Sequence, residues 1–263
     1  MILWRKSTLY LLYLLPVQMP LLAEIMIKHH YNKTLDWIAR KRFLLLLFCT
    51  ILVLTLPAIS GTGKLSNLLF WITMTFLFLQ SLIAADVKRS RKNVIRIIVV
   101  GLVIITWAKP FGVDSIFLDI IKTVAFAAFF IFIVIYLFRF IRRSTSVNLN
   151  VLVTAINIYL LIGIIGASIA SLINKINPDA YNLPPYVDTK SIVSFFYYSF
   201  ITMSTVGYGD ITPAIPETQT LAYFLAITGQ LYVAIIIAFI VGKFMTHTRD
   251  EKAVQIKNQD DKA

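Results

Sequence analysis

The residues of this chain that could do chemistry form one short run near its C-terminal end. The run consists of Thr205, Val206, Gly207, Tyr208, Gly209 and Asp210. Glycines at alternate positions allow the backbone to alternate between ordinary and left-handed dihedral angles, so that successive carbonyl oxygens turn toward one axis. Oxygens arranged in this way can replace the water shell of a bare cation. The run therefore predicts a cation site built from backbone carbonyls, with the Thr205 hydroxyl closing its inner end.

The residues before this run predict a short helix that positions it. Asp188 and Thr189 can cap a helix that begins at about Lys190 and ends at Met203. Such a helix is too short to cross a membrane, but a half-crossing helix is tolerated where it lines a water-filled cavity. The negative end of its dipole would then point toward a cation in that cavity. The preceding loop, Asn174 to Lys190, contains three prolines, which disfavour both helix and central strand.

The composition places these elements in a membrane. Of the 263 residues, 58% are hydrophobic, against about 45 to 50% in soluble domains. Six apolar runs approach the length of about 20 residues that spans a bilayer core. They are Phe43 to Ile59, Leu65 to Ala85, Val94 to Ala108, Ile116 to Phe138, Val147 to Ile173 and Thr220 to Met245. The third is the weakest, because Arg96 and Lys109 would have to extend toward the two interfaces. We therefore expect an all-α integral membrane protein with six transmembrane helices plus a re-entrant pore helix.

The net charge of +12 could indicate a nucleic-acid partner, but its distribution indicates membrane topology instead. Basic residues concentrate before the first apolar run, between the second and third, and after the fourth. They include Lys28, Lys33, Arg40, Lys41, Arg42, Lys88, Arg89, Arg91, Lys92, Arg96, Arg139, Arg142 and Arg143. By the positive-inside rule, these loops and both termini are cytoplasmic and the cation site faces outward. The expected surroundings are the lipids of a plasma membrane and no nucleic acid.

Four regions are expected along the chain. Residues 1–42 form a cytoplasmic or interfacial segment, in which residues 7–27 predict an interfacial or partly re-entrant helix on the cytoplasmic face. Residues 43–143 form a four-helix transmembrane module, and residues 144–248 form a pore domain with an outer helix, turret, pore helix, filter and inner helix. Residues 249–263 form a cytoplasmic tail that is too short to hold a folded ligand-binding domain.

No cofactor and no structural metal are predicted. Cys49 is the single cysteine, so that no intrachain disulfide can form. His29, His30 and His247 lack further ligand residues at metal spacing.

The stretch from about Asn148 to Met245 resembles the pore domain of potassium channels. The block from Phe195 to Ser204, followed by the six-residue run, is similar to that family's pore helix and selectivity filter. The resemblance implies that four strands surround one axis, and since the chain carries one such run, a homotetramer is implied. It also implies that K⁺ is a permeant ligand and not a cofactor. The carbonyls that would bind K⁺ are those of Thr205, Val206, Gly207 and Tyr208.

The resemblance assigns roles to residues around the filter. Tyr197 and Tyr198 match the aromatic pair that packs around the filter and holds its diameter, with ordinary core packing as the alternative. Ile201 occupies the position at which some family members carry a glutamate that pairs with the aspartate at the end of the filter, so Asp210 has no such partner at that site. Asp210 and Glu217 would form an outer acidic ring that concentrates cations, or would cap the following turn.

The last apolar run carries a glycine and a periodic stripe. A glycine inside a helix costs up to about 1 kcal/mol relative to alanine; Gly229 matches the family's hinge glycine, and close helix packing is the alternative. Below it, Gln230, Val233, Ile237 and Val241 recur at helical spacing. The resemblance turns this stripe toward the cavity, where rings of Ile237 and Val241 would close the pore by expelling water. Periodicity alone equally permits a lipid-facing or a helix-facing stripe.

The first four runs lack the pattern of a voltage sensor. A sensor helix needs several arginines, because each charge that crosses the field gains only about 2.3 kcal/mol per 100 mV. The fourth run contains Asp119 and Lys122, with Arg139 at its inner end. We therefore expect a potassium-selective channel with passive flux and without voltage-sensor gating. The alternatives are a less selective cation channel, which the intact filter disfavours, and a membrane sensor or assembly subunit with a vestigial pore. An enzyme is not expected, because no span pairs a nucleophile with a base.

Overall fold

The described part of the chain is almost entirely helical. The computed structural model describes residues 41–57, 59–60, 64–85, 89–108, 115–144, 148–185 and 192–260. The helices in these ranges are α1 (residues 41–57), α2 (Lys64–Ala84), α3 (Arg89–Ala108), α4 (Ile116–Arg143), α5 (Leu149–Ile176), α6 (Ile192–Met203) and α7 (Pro216–Asp260). The predicted surface helix at residues 7–27 and the predicted cap residues Asp188 and Thr189 lie outside the described residues.

Helices long and apolar enough to cross a membrane make the chain a multi-pass membrane protein. Within the described ranges they are Leu65–Ala84, Ile116–Arg143, Leu149–Ile176 and Pro216–Gly242. The third apolar run forms a shorter apolar helix, Asn93–Ala108, because basic residues occupy the first turns of α3. Crossings by α1 and α3, which would complete the expected six, stay a prediction.

The fourth and fifth helices form the largest helix–helix interface among the described elements. Helix α5 begins after Asn148, whose Oδ1 accepts a hydrogen bond from the Val151 N–H at 3.1 Å. This cap satisfies one of the amides that a helix start leaves without an intrahelical partner. Residues 43–263 form one compact unit. The predicted boundary between a four-helix module and a pore domain therefore lies inside a continuous core and stays a prediction.

Aromatic and polar contacts hold the first helices together and join them to α5. The Phe78 ring of α2 lies 4.9 to 5.6 Å, between centroids, from three rings of α4, those of Phe126, Phe129 and Phe130. Asn157 of α5 is fully buried. Its Nδ2 donates to the carbonyls of Phe43 at 3.0 Å and Val153 at 2.9 Å. The amide thus links α5 to α1 across the apolar interior.

Two glycines of α5 allow α6 to pack closely against it. A Cβ at Gly163 would collide with the ring of Phe200, and one at Gly166 would lie 2.7 Å from the Ser199 Oγ. The Ser199 hydroxyl uses this proximity to donate to the Gly163 carbonyl at 2.8 Å. Small residues at a helix interface permit such approach in membranes. Helix α6 is thereby fixed against the outer helix of the predicted pore domain.

A two-stranded sheet connects the end of α5 with the segment after α6. Strand β1 (Tyr181–Asn182) pairs antiparallel with β2 (Thr212–Pro213). Strand β1 follows a 3₁₀ turn at Pro178–Ala180. Both lie in the loop for which the three prolines predict irregular structure. The Ala180 carbonyl accepts from the Ala214 N–H and the Thr218 hydroxyl, both at 2.9 Å. The residues on either side of α6 are therefore joined directly.

The last helix is longer than its apolar run. Helix α7 continues without a break from Pro216 to Asp260, so that the polar tail is helical as far as residue 260. The side that packs on the rest of the chain carries Leu225, Gly229 and Tyr232; the Tyr232 hydroxyl donates to the Ala155 carbonyl of α5 at 2.6 Å.

Candidate functional site

The six-residue run begins two residues after α6 and has the alternating backbone that its glycines predict. Positive φ angles occur at every second residue: 59° at Thr205, 48° at Gly207 and 79° at Gly209. Glycine adopts this region at no steric cost, whereas a β-branched residue such as threonine does so rarely. The Thr205 conformation therefore has to be held by its neighbours.

Those neighbours are the last carbonyls of α6. The amides of Val206 and Gly207 both donate to the Ile201 carbonyl, at 3.0 and 3.2 Å, and the Thr205 amide donates to the Thr202 carbonyl at 3.0 Å. These contacts satisfy carbonyl groups that a helix end leaves without intrahelical partners. Ile201 thus contributes through its backbone, whereas the sequence drew attention to its side chain.

This anchoring determines where the carbonyls of the run point. In a planar trans peptide, the N–H and the C=O point in opposite directions, and no cis peptide occurs among the described residues. Since the N–H groups of Val206 and Gly207 point at the end of α6, the carbonyls of Thr205 and Val206 point away from it. They face the open side of the chain, as a cation site built from several copies requires.

The inner end of the run contacts the last helix. The Thr205 hydroxyl donates to the Ser204 carbonyl at 2.7 Å and accepts a hydrogen bond from Nε2 of Gln230 at 3.3 Å. The amide of Gln230 thus reaches the residue predicted to close the inner end of the site. Spacing in the sequence could not indicate this contact, because the two residues lie on separate elements.

The outer end of the run has a partner that the sequence did not indicate. The Tyr197 hydroxyl donates to Oδ2 of Asp210 at 2.6 Å, while Oδ1 of Asp210 is buried with no hydrogen-bond partner. The position of Ile201 supplies no such bond. The sequence did contain a signal for this bond. Tyr197 lies one helical turn before Ile201, and its hydroxyl can donate a hydrogen bond, whereas an isoleucine side chain cannot.

The neighbouring tyrosine has a different environment. Tyr198 is 2% exposed, and its ring packs edge-on against that of Tyr181, with 5.1 Å between centroids. Its hydroxyl has no hydrogen-bond partner in the described chain. Burial, followed by the proximity of Tyr198, raises the pKa of the Tyr181 phenol. The two tyrosines predicted as one aromatic pair therefore have different contacts: Tyr197 reaches Asp210 at the end of the run, and Tyr198 packs in the core.

Gly229 is a point of close approach between α6 and α7. A Cβ at this position would lie 2.8 Å from the carbonyl carbon of Met203 and would collide with its oxygen. Helix α7 is continuous through Gly229. The packing interpretation of this glycine therefore has a structural reason, and the hinge interpretation stays a prediction.

The predicted cavity stripe lies on a free side of α7. At about 100° per residue, the stripe is centred about 120° around the helix from the side that packs on the chain. Its apolar members are 42% to 55% exposed, and they are Val233, Ile237 and Val241. Among the described helices none covers this stripe, whereas the cavity-facing and lipid-facing alternatives remain.

A single chain leaves the run open. Val206 is 53% and Tyr208 73% exposed, so that one strand of carbonyls has solvent on its other side. No group of three or more metal-ligating side chains occurs among the described residues. The predicted cation site, which would need further copies of the run around the same axis, stays a prediction.

A comparison with protein families identifies this same part of the chain. Residues 155–246 match a family model described as "Ion channel". Two-pore potassium channel 2 of Arabidopsis thaliana is 26% identical over 126 residues, which are 45% of this chain and 26% of that protein. Two-pore potassium channel 4 of the same plant is 36% identical over 60 residues, 23% of this chain and 20% of that protein.

A further relative is the potassium voltage-gated channel protein shk-1 of Caenorhabditis elegans, which is 34% identical over 74 residues, 28% of this chain and 14% of that protein. The chain thus spans about a quarter or less of the length of the curated relatives named here. No solved structure matches the chain with significance.

Proposed function

We propose that this chain, whose residues 155–246 match the "Ion channel" family model, is a member of the potassium-channel pore-loop family and conducts K⁺ selectively and passively; its similarity to two-pore potassium channels supports the proposal. The family consists of ion channels and not of enzymes. In the proposal, the carbonyls of Thr205, Val206, Gly207 and Tyr208 bind dehydrated K⁺ in stacked rings, and Asp210 lies at the outer mouth.

One observation carries this proposal: the run alternates in φ while its first amides are held by the end of α6. The alternation brings successive carbonyls to one side, and the bonds from Val206 and Gly207 to Ile201 turn that side away from α6. A preorganised row of oxygens is what replaces a cation's hydration shell. A chance Gly-Tyr-Gly turn would need neither feature.

The assembly that follows is a homotetramer. Four copies would place the open sides of four runs on one axis and cover Val206 and Tyr208. The free side of α7, with Gln230, Val233 and Ile237, would then line the cavity below, and Ile237 with Val241 would form its apolar gate. Both termini would lie in the cytoplasm of a cell with this protein in its plasma membrane.

Gating without a voltage-sensor helix belongs to the same proposal. Helix α4 carries one acidic and one basic residue in its first turns, Asp119 and Lys122, and they pair with each other at 2.5 Å. Arginine enters only near its other end, at Arg139, Arg142 and Arg143. Few charges would move through the field, so that steep voltage dependence is not expected.

Reconstitution into liposomes tests the proposal. Purified protein should conduct rubidium and K⁺ but exclude Na⁺, and Gly207→Ala should abolish this selectivity, because φ of +48° at Gly207 strains any residue with a Cβ. Gly101→Ala is the matched control, since a Cβ at Gly101 meets nothing within 4 Å. Equal Na⁺ and K⁺ flux through the unaltered protein, or no rubidium flux under any condition, would contradict the proposal.

A further inference from the structure

The two-stranded sheet joins the chain on the two sides of the predicted filter. Strand β1 (Tyr181–Asn182) precedes α6 in the chain, and its partner β2 (Thr212–Pro213) begins two residues after Asp210. Helix α6 and the six-residue run therefore lie between the two strands along the chain. Because the strands pair, the main chain that leaves the outer end of the run has a fixed attachment.

The run is thus held on either side by different elements. At its inner end, the amides of Val206 and Gly207 donate to the Ile201 carbonyl at the end of α6. Beyond its outer end, the Ala214 amide donates to the Ala180 carbonyl, next to β1, at 2.9 Å. The distance over which the run has to extend therefore depends on where β1 lies relative to α6.

One side chain fixes the position of β1 on α6. The Tyr181 ring packs edge-on against two rings of α6, with 5.5 Å between its centroid and that of Phe195 and 5.1 Å between its centroid and that of Tyr198. All three side chains are buried, and Tyr181 is 4% exposed. Edge-on pairs at such distances are favourable beyond the area that they bury. Strand β1 therefore cannot move along α6 without breaking two ring contacts.

The ring of Tyr181, and not its hydroxyl, makes these contacts. The hydroxyl oxygen is buried with no hydrogen-bond partner among the described residues, and a buried polar group without a partner lowers stability. Phenylalanine at this position should therefore keep both ring contacts. Leucine should lose them while keeping the position apolar, so that the fold is retained.

We propose that Tyr181 is a positioning residue for the predicted filter. Its ring contacts with α6 hold β1, and β1 holds the main chain that follows Asp210. The bond from Tyr197 holds the Asp210 side chain instead, so the two contacts act on different groups. The inference rests on the proposed function for the role of the run as a filter. A main chain held at both ends keeps its carbonyl oxygens in place for a dehydrated cation.

Hydrogen–deuterium exchange tests the inference without measuring conduction. Full-length protein in detergent is compared with Tyr181→Leu, with Tyr181→Phe and with the control Phe78→Leu. Phe78 is also a buried aromatic residue with several ring contacts, but it lies in α2 and contacts rings of α4.

The three variants should differ in where exchange changes. In Tyr181→Leu, the amides of residues 205–214 should exchange at least about tenfold faster, because local opening no longer breaks two ring contacts. Tyr181→Phe should exchange like the unaltered protein. Phe78→Leu should lower the unfolding temperature and leave the exchange of residues 205–214 unchanged.

Ion flux in liposomes separates positioning from general stability. A smaller amount of folded protein lowers rubidium and Na⁺ flux by the same factor, so that the ratio of the two fluxes stays constant. A displaced filter should lower this ratio. Tyr181→Leu should therefore lose most of its preference for rubidium, whereas Tyr181→Phe should keep it.

The inference is overturned if residues 205–214 of Tyr181→Leu exchange like those of the unaltered protein, or if Tyr181→Phe or Phe78→Leu speeds their exchange as much. It is also overturned if a conducting protein keeps its flux ratio in Tyr181→Leu. If the unaltered protein conducts no rubidium, the proposed function fails, and the exchange of residues 205–214 alone decides whether Tyr181 positions the run.

Discussion

If residues 205–210 form the proposed tetrameric filter, removing one hydroxyl at its outer end should destabilise the conducting state. In Tyr197→Phe the ring stays, but the 2.6 Å hydrogen bond to Asp210 Oδ2 is lost. The other carboxylate oxygen, Oδ1, is already buried without a partner. The substitution would therefore leave the carboxylate at the end of the filter without a hydrogen bond among the described residues, and its repulsion from the neighbouring copies would be opposed less.

The magnitude follows from the type of bond. A hydrogen bond to a charged group contributes about 1.5 to 3 kcal/mol. Tyr197 is 39% exposed in the single chain, so that water replaces part of the bond, and about 1 to 2 kcal/mol is expected. This corresponds to roughly a 5- to 30-fold shift in the ratio of conducting to collapsed filter.

Single-channel recording in planar bilayers measures that ratio as the fraction of time spent in long closures. Tyr198→Phe is the matched control: it removes the hydroxyl of the adjacent tyrosine, which lies away from Asp210 and has no hydrogen-bond partner among the described residues, and should leave the ratio unchanged. In an Asp210→Ala background, which removes the acceptor of the bond, Tyr197→Phe should have no further effect. If both tyrosine variants behave like the unaltered protein, the bond does not hold the filter and the reasoning is wrong.

Two further changes test packing. Gly229→Ala should lower the free energy of unfolding by about 1 to 3 kcal/mol, because the new methyl group collides with Met203. Thermal unfolding in detergent measures this loss. Gly242→Ala on the same helix is the control and should cause no such loss, because a Cβ at Gly242 meets nothing within 4 Å. Asn157→Ala should lower the free energy of unfolding by about 1 kcal/mol, because the 3.0 Å hydrogen bond to the Phe43 carbonyl is lost. An unchanged unfolding temperature would show that this bond contributes nothing.

Element type and approximate position could be predicted from the sequence, whereas several roles at the candidate site could not. The pore helix was expected to end at Met203 and does so. Nothing in the sequence predicted that α7 continues into the polar tail, since no apolar periodicity extends past the last span. The partner of Asp210 was sought at Ile201, because the family pattern directs attention there. Helical spacing alone did not show that Tyr197 reaches the same carboxylate.

The sequence by itself determined the local chemistry of this protein: the alternating glycines of the run, the apolar lengths that enter a membrane, and the basic loops from which an orientation is predicted. These are properties of short segments, since backbone freedom and transfer into lipid depend little on distant residues. Only the tertiary structure decided that Gly229 meets Met203, that the cavity stripe lies on a free side of α7, and that Lys122 and Lys175 share Asp119. Such contacts join residues far apart in the chain, and their energies depend on how whole helices pack.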